Sequence, residues 1–285
     1  MLAAPEIVAS PVTRGLRGTA SRPGVILAVL VIVVVVGWVL LPQVFAPGDP
    51  LRAAPESRLL APSPDHWFGT DELGRDLYLR VVHGASLSVR STLLAVMIGL
   101  VAGSLIGVIA GYLGGIIDGA LMRAVDVVLA IPGLMLSLAV IAALGPGTLQ
   151  ISIAVGVGAI PAFARVVRAE TLRVRSSDFI EAAHVVGVRG SRMLVHHVVP
   201  NITGHVVVLA TATLATAVLA VSALSFLGFG AAPPAPEWGN LISDGRDYLA
   251  VAWWLTLLPA AVVVATVSSI MHISRTLETR TGGAR

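Results

Sequence analysis

The sequence predicts an all-α polytopic membrane protein with six transmembrane helices, and three observations carry that prediction. First, 56% of its 285 residues are hydrophobic and only 12% are charged, about half the charged share of a soluble domain; the mean hydropathy is +0.89. Second, the apolar residues gather in runs of about 20, enough to cross a bilayer as a helix. The period-two alternation of an outer-membrane barrel is absent. Third, the polar stretches between the runs alternate in charge. The first 23 residues are +2, the 47–85 loop −2, the 165–200 stretch +3, the 230–250 loop −2 and the C-terminal stretch +2. Arginine-rich short loops stay cytoplasmic, so this alternation predicts that both termini and the 165–200 stretch lie inside.

In chain order, residues 1–23 read as a polar cytoplasmic tail with Arg14, Arg17 and Arg22 against Glu6. A first span, 24–46, exceeds a signal-peptide core and shows no clear small-residue cleavage site, so it is expected to remain as an anchor. An acidic, proline-rich extracytoplasmic loop, 47–85, follows. The core, 86–273, holds five more spans: about Ser86–Tyr112, Gly119–Leu144, then past the Gly145-Pro-Gly147 turn to Val167, Ile202–Phe229 and Val251–Ile273. Between the fourth and fifth lies a cytoplasmic stretch, 169–200, and between the fifth and sixth an extracytoplasmic loop, 230–250. Residues 274–285 form a second cytoplasmic tail. Trp67, Trp238, Trp253 and Trp254 fall in or beside the outer loops and Trp38 towards the outer end of its span. Anchoring at the membrane interface accounts for Trp38, Trp253 and Trp254, and the stiff Pro233-Pro-Ala-Pro-Glu-Trp-Gly239 run is expected to hold Trp238 at the membrane surface.

The residue inventory excludes several chemistries. The chain has no cysteine, and all 19 basic residues are arginine. Disulfides, thiolate catalysis and cysteine zinc sites are therefore ruled out, as is a P-loop, whose lysine reaches the nucleotide phosphates. No acid falls deep in a span, which argues against an ion-coupled secondary transporter, and no polar cluster within the spans suggests a membrane-embedded enzyme. Arg123 and Asp126, three apart near the inner end of the third span, are expected to pair on one helix face. The seven histidines fall at no convincing metal-ligand spacing. Pro132, Pro161 and Pro259 lie inside the proposed spans, where each removes a backbone hydrogen bond. Gly99, Gly103, Gly107 and Gly111 recur every four residues on the second span, a smooth stripe against which another helix can pack closely.

The most informative stretch is 178–200, a charged interlude between apolar runs. Asp178 can cap a helix with Glu181 three residues on. Ala182 and Ala183 leave a face almost without side chains, Gly187 and Gly190 permit a turn, and Pro200 is expected to stop a second short helix. Glu-Ala-Ala, a glycine four residues on and a final Pro-Asn resemble the cytoplasmic coupling loop of ABC-type import permeases. Two further stretches sharpen the resemblance. Residues 64–80, PDHWFGTDELGRDLYLR, and 225–246, SFLGFGAAPPAPEWGNLISDGR, are similar to signatures of the C-type permease subunit of dipeptide/oligopeptide/nickel ABC importers. Phe229 stands where that family has an aliphatic residue. The similarity runs from about Gly24 onward.

The resemblance implies a type I ABC importer permease fold in the bacterial cytoplasmic membrane. It further implies one half of a pore shared with a second, different permease subunit, two ATP-binding subunits that carry the ATP and magnesium, and an extracytoplasmic substrate-binding protein. The chain itself would bind no cofactor or metal, catalyse nothing and have no nucleic-acid partner. Asp178, Glu181, Ala182, Ala183, Gly187 and Pro200 would couple it to the ATPases. Gly69, Thr70, Asp71, Gly74, Arg75, Asp76, Pro233, Pro234, Pro236, Glu237, Trp238 and Gly239 are the family's extracytoplasmic motif residues. Di- or oligopeptides are the implied cargo, with nickel or another chelated metal as the alternative.

Overall fold

The computed structural model describes residues 22–177, 193 and 198–282, and their regular elements are helices joined by turns. Five helices are long and apolar enough to cross a membrane, and a broken pair makes a sixth span. They are α1 (Arg22–Leu40), followed by the single turn α2 (Pro42–Phe45); α3 (Leu77–Leu113); the broken pair α4 (Gly115–Leu129) and α5 (Gly133–Leu144); α6 (Thr148–Arg175); α7 (Val199–Leu224); and α9 (Trp254–Gly282). The short helix α8 (Trp238–Gly245) lies between the last two.

The helix boundaries differ from the sequence expectation in instructive ways. The first span ends at Leu40, with Pro42 opening a separate turn. The second starts nine residues earlier than Ser86, because the Asp76 carboxylate accepts the Leu79 N–H at 3.0 Å and caps the helix. The added turns present Leu77, Val81, Val82 and Ala85 to the interior, all 1% exposed or less. The third span is two helices bent by 92°. Pro132 therefore sits at the break, not inside a helix, and its missing N–H and ring sterics account for the interruption. Pro161 and Pro259 do lie within helices. Helix α6 continues to Arg175 and α9 to Gly282, well past the expected membrane ends.

The bundle is organised around the α3–α6 contact. Gly99, Gly103, Gly107 and Gly111 are all buried and lie directly against the α6 backbone. A Cβ at Gly103 would stand 2.6 Å from both the Ile160 carbonyl oxygen and the Phe163 Cβ, and one at Gly107 2.6 Å from the Ala164 carbonyl oxygen. The close approach is mutual, since a Cβ on Gly156 of α6 would meet the Ala95 carbonyl oxygen at 2.8 Å. Gly114, at φ +69°, ends α3 and turns the chain straight into α4.

Three apolar clusters stack along the bundle. One at the loop-rich end joins Trp38, Leu77, Val81, Trp238, Trp254 and Leu255. A middle one holds Ile141, Ile151, Phe163 and Leu224, and a third joins Val167, Val174, Met193, Val198 and Ile202. Outward-facing side chains such as Ile26, Leu30, Leu105, Val127 and Val264 are large, apolar and exposed. That pattern suits a hydrocarbon solvent and not water.

Candidate functional site

At the loop-rich end, two segments some 150 residues apart fold into one charged subdomain. The first is built on Asp71, which is 4% exposed. One of its carboxylate oxygens accepts the N–H groups of Leu73 and Arg75, each at 2.9 Å, and the other accepts Arg75 Nε at 2.6 Å. Arg75 also donates to Glu72 at 3.1 Å. The turn needs Gly74 at φ +74°, where any Cβ would collide with the Ala54 carbonyl. Thr70 donates its hydroxyl to the Ser57 carbonyl and accepts the Leu60 N–H, and the Trp254 indole donates to the Thr70 carbonyl. Asp76, besides capping α3, lies 2.7 Å from His66 Nδ1. Gly69, which precedes Thr70, also has positive φ and accepts the Leu77 N–H through its carbonyl.

The second segment begins where α7 passes through a π turn, Ser225–Phe229. Glu237 is 1% exposed and fully engaged: it accepts the Ser225 hydroxyl at 2.5 Å and the Ala231 N–H at 2.9 Å. Trp238 is wholly buried. Its backbone N–H donates to Ser88 Oγ and its indole N–H to the Val81 carbonyl, both at 3.0 Å. This corrects the expectation of a tryptophan at the membrane surface: Trp238 is the peg by which the proline-rich loop is fixed to α3. Trp38 and Trp254 are likewise interior, whereas Trp253 is 49% exposed. Gly239 abuts the Ser222 carbonyl, and Gly84 of α3 abuts the backbone of Pro236 and Glu237. Pro233 and Pro234, joined by a cis peptide, form part of a cavity wall.

That cavity, of about 810 Å³, opens between the two segments. Arg75, Arg80, Glu72, Asn240, Asp244 and Tyr248 are among its lining residues. Sequence reasoning passed over Arg80 and Asp244. Arg80 is 3% exposed, its Nε lies 3.6 Å from Asp71 and its Nη2 4.0 Å from Asp244. Burial raises the Asp244 carboxyl above the usual carboxylate range, and the Arg80 and Arg75 charges pull it back down. The available signal was an arginine one helical turn beyond the Asp76 cap, facing inward with Leu77 and Val81.

At the opposite, arginine-rich end, ion pairs brace the helices from which the 178–200 stretch departs. Arg168 of α6 pairs with Asp118 of α4, its Nη2 at 2.6 Å from the carboxylate. Arg165 holds Asp126 at 2.6 Å. The expected Arg123–Asp126 pair is thus replaced by a bridge between helices. Arg175 donates to the Tyr112 carbonyl at 2.9 Å, closing the end of α3. Asp178, Glu181, Ala182, Ala183 and Gly187 lie outside the described residues. Pro200 is described. It sits in the first turn of α7, where its missing N–H is no loss, so it opens that helix; the short helix it is expected to stop falls on 178–192 and 194–197, outside the described residues.

Six apolar spans with a charged, folded loop end define a polytopic helical membrane protein. The chain belongs to the family of binding-protein-dependent transport system inner membrane components, whose model matches residues 103–281. It is 38% identical over 245 residues to the dipeptide transport system permease protein DppC of Alkalihalophilus pseudofirmus, covering 85% of this chain and 80% of that one. It is 41% identical over 206 residues to the glutathione transport system permease protein GsiD of Escherichia coli O6:K15:H31, covering 72% and 68%. With the di/tripeptide transport system permease protein DppC of Pseudomonas aeruginosa it shares 34% identity over 270 residues, covering 92% and 88%. Among solved structures, the fold resembles the inward-facing MetNI methionine ABC transporter, with TM-score 0.57, 21% identity and coverage of 70% of this chain and 95% of that one. It also resembles an amino acid ABC transporter, with TM-score 0.55, 16% identity and coverage of 70% and 94%. The chain is therefore an ABC importer permease of the inner membrane with the fold its sequence motifs implied, working with ATPase and substrate-binding partners.

Proposed function

We propose that this permease imports di- or oligopeptides as half of a pore completed by a second, different permease subunit. The observation that carries the cargo reading is the 34–38% identity to dipeptide and di/tripeptide permeases over more than four fifths of the chain. Two ATP-binding subunits hold the ATP and magnesium, and this chain performs no covalent chemistry of its own. Residues Asp178, Glu181, Ala182, Ala183 and Gly187 dock into them. The ion-paired ends of α3, α4 and α6 transmit the movement as rigid rods, because the Asp118–Arg168, Asp126–Arg165 and Arg175–Tyr112 links tie those ends together.

The test is uptake in sealed vesicles of the complete transporter, with labelled dipeptide and nickel offered as cargoes. Dipeptide uptake that depends on ATP is the expected result, and uptake of nickel alone would overturn the cargo reading. In the same assay Ala183→Arg is expected to abolish ATP-dependent uptake and co-purification of the ATPases at normal membrane level. Arginine is a good helix former on an exposed face, but its unpaired charge is costly in a buried interface. Wild-type values from this variant would refute docking through the alanine face.

Both termini and the 178–200 stretch are placed in the cytoplasm on the strength of the alternating loop charge. The chain has no native cysteine. Single cysteines at the exposed positions Glu56 and Ala250 should therefore react with an impermeant thiol reagent in intact cells, and one at Ser176 should not. Labelling at Ser176 alone would invert the topology.

A further inference from the structure

The Arg80 guanidinium has no role in the packing described above, and its surroundings are unusual. It is 3% exposed, yet Nε and Nη1 have no hydrogen-bond partner among the described residues. The nearest carboxylate oxygens, at 3.6 and 4.0 Å, are beyond hydrogen-bond length. A buried donor left unsatisfied is expensive, and a guanidinium more so than a neutral group. Asp71 cannot close the gap freely, because both its oxygens already hold the Asp71–Arg75 turn together. Asp244 is on the far side of the gap, with its side chain half exposed over the 810 Å³ cavity.

The cavity thus presents a donor-only group and a carboxyl side by side, 4.0 Å apart with no hydrogen bond between them. An extended polypeptide matches that pair: the N–H and C=O of one residue point to the same side, as in the hydrogen-bonded pairs of an antiparallel ladder. The volume lies within the range of about 300–1,000 Å³ typical of small-ligand pockets, too large for a bare ion. The remaining wall is mixed: Leu73, Ala231, Pro233, Pro234 and Tyr248 supply apolar surface, and Glu72, Arg75, Asn240, Ser243 and Asp247 add polar and charged groups. We propose that this cavity is a peptide-binding site on the permease itself, in which Arg80 Nη2, the guanidinium nitrogen that faces Asp244, donates to a carbonyl or terminal carboxylate of the cargo and Asp244 accepts an N–H. The assignment rests on the peptide-import reading above and adds a second place of recognition, beyond the substrate-binding partner.

The test uses the complete transporter in nanodiscs without the binding protein and measures saturable binding of a radiolabelled tri-alanine. Wild type should bind. Asp244→Asn and Arg80→Gln should each weaken binding about tenfold, the loss of one charge-assisted hydrogen bond. Ala235→Trp, which fills the cavity from a half-buried wall position, should abolish it. Docking of the binding protein, measured on the same discs, should be unchanged in all three variants. Absence of saturable binding by wild type, or wild-type binding by Ala235→Trp, overturns the proposal. Loss of binding-protein docking with tripeptide binding intact also overturns it, assigning the cavity to the partner. Peptide uptake by the complete wild-type system, run in parallel, separates the two levels. No uptake defeats the cargo reading and this site together, whereas normal uptake with unaltered Ala235→Trp binding defeats only the site.

Discussion

A permease carrying leucine at position 107 is expected to be nearly absent from the membrane, whereas leucine at Val101 leaves it at wild-type level. The difference comes from what each side chain meets. A single Cβ at Gly107 would already lie 2.6 Å from the Ala164 carbonyl oxygen and 2.9 Å from the Arg168 nitrogen. Those are backbone atoms of a regular helix, with no rotamer to yield, so α3 and α6 must separate. Overpacking in a soluble core typically costs about 1–3 kcal/mol. Here the separation also loosens the contacts of Gly103 and Gly111 on the same face, so the cost exceeds that of one site. Without a hydrophobic drive between helices in lipid, close van der Waals packing is much of what holds such a pair together. Val101 is 56% exposed, and a longer side chain there only extends further outward. Membrane level and the melting temperature of the detergent-solubilised complex are the measurements. Gly107→Ala should fall between the two, and a Gly107→Leu permease as abundant and stable as wild type would mean that α3 and α6 do not meet along this stripe.

The glycine stripe was legible because a four-residue period survives in a linear sequence. Its counterpart was not. Gly156, Ala159 and Ala164 on α6 are scattered through an ordinary apolar run, and only the crossing of the two helices turns them into one surface. The start of α3 was hidden because Arg80 and His83 dilute the hydropathy of turns that nevertheless face inward. Proline at 132 was visible as a helix breaker, but nothing in composition records that the chain leaves at 92°. Trp238 misled for a related reason. An aromatic in a proline-rich loop looks interfacial, and its burial depends on Val81 and Ser88, far away in sequence. Local spacing misdirected Asp126 as well: the i,i+3 partner Arg123 lost to Arg165, brought alongside by α6. The outer motifs were recognisable as residues, and their three-dimensional logic was not. The Asp71–Arg75 turn and the Glu237–Ser225 link draw two distant segments around one cavity, and that follows only from the fold.

The buried charge cluster allows a graded prediction in which the carboxylate matters more than either of its arginines. Asp71→Ala removes the acceptor of three donor groups, two backbone N–H groups and Arg75 Nε, and with it the carboxylate charge 3.6 Å from Arg80. It leaves two guanidiniums, 8% and 3% exposed, close together with only the more exposed Glu72 and Asp244 to offset them. Breaking a buried pair by deleting one partner costs about 3–5 kcal/mol, because the survivor remains buried and unpaired. Arg75→Met deletes the opposite partner but leaves Asp71 its two backbone N–H donors, with Arg80 near enough to close on it. That substitution should cost visibly less. Asp71→Asn keeps an oxygen for the backbone donors and loses only the charge, so it should fall between them. The damage is local to the loop-rich end, since the α3–α6 seam and the ion pairs of the far end do not involve these residues. The prediction is therefore specific: Asp71→Ala complexes should show rapid proteolysis between residues 52 and 76 and a lowered melting temperature, while still retaining their ATPase subunits after mild solubilisation. Arg75→Met should show the same effects at smaller amplitude. An Arg75→Met permease damaged as severely as Asp71→Ala would show that Arg80 cannot take over the carboxylate, and that each guanidinium in the cluster is held by a partner of its own.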